Sequence, residues 1–508
     1  MQEAAELLIW LRSQGHHVRT ENGQLRIQVP NGRMSSEDLT RIRARKQEII
    51  QLLLQEDQIA YPPLRPRPAG AAVPLTPLQE FGWKYYEGGK TSLRVARTVL
   101  RIQGPLNVRV LTDCLDYLVH RHESLRTRII AINGAPVQCV DAPKELSLDV
   151  TDLTRLVPPR IEAAAQRMVE EFVTEKVDLA VGPLFSAKLI KLSACEHVLV
   201  LALDHIISDT VSNWILTKEM WELYGQATRG LPLALSSLPV QFADYVYWQF
   251  QIHEPWWKEH EPYWIRRLSG ARPAEIFPEK NTTGADIATS TDRDIHLGRE
   301  LSVQLRAIAR RNQTEVALVI CTVYVALISR WCRQHDLTIR FLISGRSRPE
   351  LENMIGFVAD FLHLRIAINQ ADSFPDVLKK MMLEFRSAYD HQDFGYVPKL
   401  IPGWSWDLPQ DHRLGFFWMP GSGMRAFPDR DIHNNLSICP YPYRETWSGV
   451  TFVPYFYDAP GGIGCMLIYN PSGFSSPTVE RFARNLRYFA REFVEHPSVR
   501  VRDIPLLG

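Results

Sequence analysis

Apolar residues recur along this chain in two rhythms. Near the start, Leu7, Leu8 and Leu11 share one face of a helical stretch over Ala4–Leu11 that ends by Gly15. The period then drops to two. Val18 precedes an Asn22-Gly23 pair, Leu25, Ile27 and Val29 follow it at alternate positions, and Pro30 closes the run. Asn-Gly between alternating segments predicts a β-hairpin, because both turn positions need positive φ. Ser35 ahead of Glu37 and Asp38 marks a helix start. Leu39, Ile42, Ile49, Ile50 and Leu53 supply the apolar face of one helix over residues 36–54, and Arg41, Arg43, Arg45 and Lys46 make its other face basic. Residues 1–56 thus read as a small α+β unit (helix, β-hairpin, helix) that buries little surface of its own. Its open strand edge is a template for an incoming peptide strand; the basic face reads equally as an ordinary solvated surface. Residues 57–74 carry Pro62, Pro63, Pro66, Pro68 and Pro74 and predict a semi-rigid linker.

From Leu75 onward short apolar runs alternate with amphipathic segments. Strands are expected over Arg97–Ile102, Phe185–Leu192, Val198–Leu203, Thr338–Ser344 and Gly464–Tyr469. Helices are expected over Val108–His120, Ile161–Glu175, Ser302–Asn312, Thr314–Cys332 and Pro477–Glu495. The class is α/β of mixed order, and the 508 residues exceed one ordinary core. Lys plus Arg (58) nearly balances Asp plus Glu (57), which excludes a polyanion-coating protein and gives no footprint for nucleic acid. Seven cysteines, odd in number and without a CxxC pair, indicate neither a disulfide framework nor a thiolate zinc site, so no metal is expected and a reduced cytoplasm is the expected setting. No apolar run approaches the roughly 20 residues of a membrane span, and the acidic start is no secretion signal. Repeats, phosphate-cradling glycine loops, a GxSxG elbow and HExxH are all missing from the sequence.

The segment richest in chemistry is VLVLALDHIISDTVSNWIL. A buried strand, Val198–Leu203, gives way abruptly to Asp204-His205, then Ser208-Asp209-Thr210, with a helix starting near Ser212. Polar clusters at strand ends are where active sites are commonly built. His205 is the side chain here able to hold or pass a proton near neutrality. Asp209 reads either as a loop-fixing partner of a cation or, with Ser208, as a helix cap.

This segment resembles the HHxxxDG motif of nonribosomal peptide synthetase condensation domains, and other motifs of that family follow in order. They are LTPLQEFGW (75–83), RHESLRT (121–127), QFADYVYWQ (241–249), ISGRSRPELENMIGFVADFLHLR (343–365), HQDF (391–394) and the exit VRDIPLL (501–507). The front segment, LLIWLRSQGHHVRTENGQLRIQVP with KQEIIQLL, resembles the tubulysin-type N-terminal docking domains of megasynthetase subunits. The resemblance implies two chloramphenicol-acetyltransferase-like lobes, over residues 75–250 and 251–508, forming a V-shaped pseudo-dimer behind the docking domain. It implies amide formation between an upstream carrier-bound acyl or peptidyl thioester and a downstream carrier-bound amino acid. No cofactor is bound by the domain itself; both substrates ride on phosphopantetheine arms of donor and acceptor carrier proteins. The docking domain is expected to capture the C-terminal peptide of an upstream synthetase subunit, so the donor arrives from another polypeptide. With nothing recognisable after the exit motif, the chain is expected to be free-standing or the front of a larger synthetase.

Carried over by position, His205 is the catalytic histidine and Asp209 the motif aspartate, whose role in the family is mainly structural. Arg346 is the expected salt-bridge partner of Asp209 across the lobes, though by itself it reads equally as a surface arginine. The chain departs from the family in several places. Asp204 stands for the first histidine, Thr210 for the glycine, and Asp360-Phe361 for Asn-Thr of the fifth motif; the seventh motif is illegible across residues 423–434. DHIISDTVS also fits DxxxxDxxS of heterocyclisation domains, with Asp204, Asp209 and Ser212 at its fixed positions, although such domains normally lack a histidine where His205 stands. A third possibility is a non-catalytic condensation-like platform.

Overall fold

The computed structural model describes residues 2–13, 17–21, 24–28, 36–58, 63–87, 96–271, 276, 279, 290–392, 415–419, 431–433, 435–443, 452–459 and 461–508. The front unit consists of the helix Gln2–Ser13 and the antiparallel strands His17–Glu21 and Gln24–Gln28, with Val18 opposite Ile27, followed by two helices. Leu7, Leu8, Leu11, Val18, Ile42, Ile49 and Leu53 close its small core. The turn at Asn22-Gly23 lies outside the described residues, as do Gly15, Pro30 and Ser35. One expectation changes: the single helix over residues 36–54 is broken into Ser36–Ala44 and Lys46–Gln58. The apolar stripe has no member between Ile42 and Ile49, so packing does not hold the turn at Arg45, whose side chain instead pairs with Glu3 and Glu48.

The proline-rich stretch is less of a tether than its composition predicts. Leu64 and Val73 are buried against the body. Val73–Pro74 forms a short strand on Ala135–Val140, which pairs in turn with Thr127–Ile132.

Two six-stranded sheets build the rest. The first has the spatial order Asp431–His433, Leu436–Pro440, Ala96–Gln103, Glu196–Leu203, Phe185–Ser193, Asp149–Asp152. The second runs Thr291–His296, Gly462–Tyr469, Phe452–Ala459, Gly415–Met419, Asp336–Ile343, Asp360–Ala367. Sequence pattern and position agree in both. Every residue of Val198–Leu203 is buried, as an uninterrupted apolar run requires of a central strand covered on both faces. The helix Val316–Cys332 is apolar all round and is buried from Ala317 to Ser329 in the core of the second sheet. Among the described residues no single helix is long and apolar enough to cross a membrane.

Residue 250 is the expected boundary between the two halves. That position falls inside one helix, Phe242–Leu268. Strand Leu436–Pro440, far into the second half, joins the first sheet beside Ala96–Gln103, pairing Ser437 with Gln103 and Ile438 with Ile102. Leu436 and Ile438 belong to the first core. This pairing is remote in sequence, so a linear reading of periodicity does not reveal it.

Candidate active site

The strand Glu196–Leu203 delivers the motif to its place. At its end Asp204 is almost fully buried, and its Oδ1 accepts the backbone N–H of Ile206 (3.0 Å), capping a single 3₁₀ turn, His205–Ile207. Ile206 and Ile207 plug this turn into the first core. The His205 Nδ1 lies 2.6 Å from the Ser208 carbonyl oxygen. A carbonyl can only accept, so Nδ1 carries the proton, and in the neutral ring Nε2 is left as a lone-pair acceptor. Ser208 is buried, its hydroxyl donating to the Asp204 carbonyl (2.9 Å).

Asp209 caps the next helix, Thr210–Thr228, with Ser212 closing a reciprocal box. Thr210 begins that helix exposed. Asp209 is buried, as is Arg346: their side chains are 3% and 6% exposed, and the guanidinium meets both carboxylate oxygens, at 2.7 and 3.0 Å. The remaining capacity of the carboxylate goes to Ser212 N–H and Oγ–H and to the backbone N–H groups of Val358 and Ala359. Burial alone would raise the Asp209 pKa; the Arg346 charge and hydrogen bonds, with those from Ser212, outweigh it and hold the carboxyl below its ordinary range. Arg346 also donates to the Met354 carbonyl (3.1 Å). Gly345 before it has φ +65°, and a Cβ there would stand 2.0 Å from the Val358 carbonyl oxygen, so the glycine of SGRSRPE is what lets the two segments touch.

The structure thus brings together Asp204, His205, Ser208, Asp209, Ser212 and Arg346. It adds two residues that sequence reasoning passed over. Phe357 lies over the His205 imidazole, ring centroids 4.4 Å apart and planes 20° from parallel. Gln79, fully buried, donates Nε2–H to the Ile206 carbonyl (2.7 Å). Its own Oε1 accepts from Thr76 N–H (3.0 Å) and from Gln138 (3.2 Å). Thr76-x-x-Gln79 is a capping-box spacing inside LTPLQ, which was the available signal.

The other motifs are supports. In RHESLRT, Arg121 and His122 both bond to Glu219, at 3.1 and 2.7 Å, while the Ser124 hydroxyl donates to the Ile355 carbonyl (2.6 Å). Burial pulls the His122 pKa below the usual imidazole range, against the opposing pull of the Glu219 carboxylate. Asp244 of QFADYVYWQ and Glu123 of RHESLRT together hold Arg67 of the proline-rich stretch, at 2.6 and 2.9 Å. His391 stacks on Tyr263 at 3.7 Å and donates from Nδ1 to the Ser387 carbonyl (2.8 Å). Phe361, one of the departures, meets Phe417 edge-on at 5.7 Å. Asp393 and Phe394, and all of residues 423–434 except Asp431–His433, lie outside the described residues. Among the described residues no group of three or more His, Cys, Asp or Glu is arranged to hold a metal ion.

Comparison with known proteins gives concordant findings. The condensation-domain family model matches residues 71–400, and the TubC N-terminal docking-domain model matches residues 5–55. Chondramide synthase cmdD of Chondromyces crocatus is 27% identical over 90% of this chain and 12% of its own length. Phosphinothricin tripeptide synthetase PhsC of Streptomyces viridochromogenes is 29% identical over 88% of this chain and 41% of its own. The chain therefore spans less than half the length of each of these relatives. Among solved structures, the X-domain in complex with OxyB from teicoplanin biosynthesis superposes with a TM-score of 0.76 at 21% identity, covering 88% of this chain and 99% of that one. The first condensation domain of the calcium-dependent antibiotic synthetase gives 0.68 at 18% identity, covering 87% and 100%. The fold is accordingly the chloramphenicol-acetyltransferase-like α/β fold of condensation domains. With the motifs in order and both models matched, the chain belongs to the condensation-domain family of nonribosomal peptide synthetases and carries a TubC-type docking domain at its N-terminus.

Proposed function

We propose that this chain joins an acyl or peptidyl group, delivered as a thioester on an upstream carrier protein, to the amine of an aminoacyl group on a downstream carrier. The observation that carries the reading is the contact of His205 Nδ1 with the Ser208 carbonyl: it commits Nδ1–H, so in the neutral ring Nε2 is an acceptor, on a turn held by Asp204 and Gln79. The amine nitrogen attacks the thioester carbonyl carbon. Nε2 accepts a proton from the amine as the C–N bond forms, or orients it by hydrogen bond. The tetrahedral oxyanion then collapses, the C–S bond breaks, and the phosphopantetheine thiolate leaves as a thiol with that proton. In this reading Asp209 is a positioning residue, since Arg346, Ser212, Val358 and Ala359 occupy its oxygens. Asp204, Ser208, Ser212 and Arg346 hold the turn, and Thr210 stands at its exposed edge. The front unit docks the C-terminal peptide of an upstream subunit by strand addition, and the basic residues of its second part favour an acidic peptide.

The test is an assay with loaded donor and acceptor carriers, read by mass spectrometry. An amide is expected, and His205→Ala should lower its rate by about 10²–10⁴-fold with the fold intact. Full activity in that variant would remove His205 from the mechanism. A second reading, a platform that makes no amide, is favoured by Asp204 standing for the first histidine and by the likeness to a domain solved with OxyB bound. The same assay returns no product in that case, and an amide less one water if the domain were a heterocyclase.

A further inference from the structure

Phe357 stands one residue after the glycine of the Met354-Ile355-Gly356 segment, and no local pattern in the sequence marks it. Its setting is unusual in how firmly it is fixed. On one side, Ser212 Oγ accepts the backbone N–H of Gly356 (3.1 Å). On the other, Asp209 Oδ2 takes the N–H groups of both Val358 and Ala359 at 3.1 Å. A Cβ on Gly356 would stand 2.3 Å from the buried Phe242 ring, so the backbone there has no room to step back. The buried Asp209–Arg346–Ser212 cluster therefore clamps both flanks of one residue, and that residue is the one whose ring lies flat on His205. Phe357 itself is only partly buried.

We propose that Phe357 determines acceptor specificity by covering one face of the His205 imidazole. This rests on the reading of His205 given above. The Nε2 lone pair lies in the ring plane, so the amine meets it at the ring edge, and with Phe357 over one face the side chain beside that amine must fit in the space Phe357 leaves. A bulky acceptor side chain is excluded by the benzyl group rather than by any charge. The motif aspartate then acts on the reaction at second hand, by setting where this ring stands.

The test uses the full chain with ¹³C-labelled histidine, the His205 signal being assigned by its loss in His205→Gln. Glycyl-pantetheine and tryptophyl-pantetheine, in amide form, serve as acceptor probes. In the wild type the glycyl probe should move the His205 signal and bind at least tenfold tighter than the tryptophyl probe. Phe357→Ala should close that gap to within about twofold, chiefly by tightening the tryptophyl probe, a size discrimination of the kind an apolar wall supplies. Phe357→Leu keeps most of the packing volume, guards against a failure to fold, and should give an intermediate ratio. It should also shift the His205 ring-proton signal downfield as the stacked ring current is lost. An unchanged ratio in both variants, or no response of His205 to either probe, overturns the proposal. A normal ratio shift alongside full amide synthesis by His205→Ala would instead overturn the catalytic reading and leave the steric filter standing.

Discussion

Asp209 receives six hydrogen bonds, from Arg346, Ser212, Val358 and Ala359, and none of them reaches solvent. Removing one partner of such a pair leaves a buried charge uncompensated. Arg346→Ala is expected to cost about 3–5 kcal/mol in urea unfolding, far above the ~1 kcal/mol of an exposed pair. The pH dependence has a definite sign. The folded Asp209 carboxyl is depressed below its ordinary value of 3.8, so its contribution is complete above that value and is lost as pH falls through the folded value. Stability of the wild type measured down through that window should fall more steeply than that of Asp209→Asn, which carries no such proton linkage; parallel curves would show that the pair is not an acid-sensitive support. The departure at Asp204 has a structural use at this scale: its Oδ1 caps the 3₁₀ turn.

Among the elements, the short turn His205–Ile207 gains its rigidity from a distant helix. Gln79, at the start of Pro77–Glu87, holds the Ile206 carbonyl across 127 residues of sequence. Gln79→Leu leaves that carbonyl without its partner in a dry site. It should cost about 1–3 kcal/mol of stability and lower kcat for amide formation more than it raises KM, because the turn loosens while the binding surfaces remain; a pure KM effect would count against a positioning role. This contact also marks how far the sequence could be read. The polar cluster after Val198–Leu203 was legible because an apolar run stopped abruptly, and helix limits such as those of Val108–Arg121 came within a residue of expectation. The contributions of Gln79 and Phe357 were not legible, since each depends on a partner more than a hundred residues away and neither changes the local periodicity. The break at Arg45 was hidden for a related reason: the helical spacing of Ile42 and Ile49 is kept across it, and only the missing apolar contact between them gave a sign.

At the scale of the whole molecule, Arg67 fastens the proline-rich stretch to Glu123 and Asp244, residues of the second and fourth motifs. Arg67→Ala should raise hydrogen exchange over residues 63–74 while leaving the strands Ala96–Gln103 and Glu196–Leu203 protected. Unchanged exchange would mean that Leu64 and Val73 suffice as anchors. Composition alone had predicted a spacer here, because proline content reports backbone stiffness and says nothing of what the chain lies against. The strand Leu436–Pro440 carries a consequence for anyone recombining such enzymes. Since it completes a sheet begun over three hundred residues earlier, a hybrid spliced inside the helix Phe242–Leu268 inherits a mismatched seam unless the donor of the first half also supplies the stretch that contains Leu436 and Ile438. The modular unit for grafting is therefore discontinuous along the gene, two blocks of code that must travel as one.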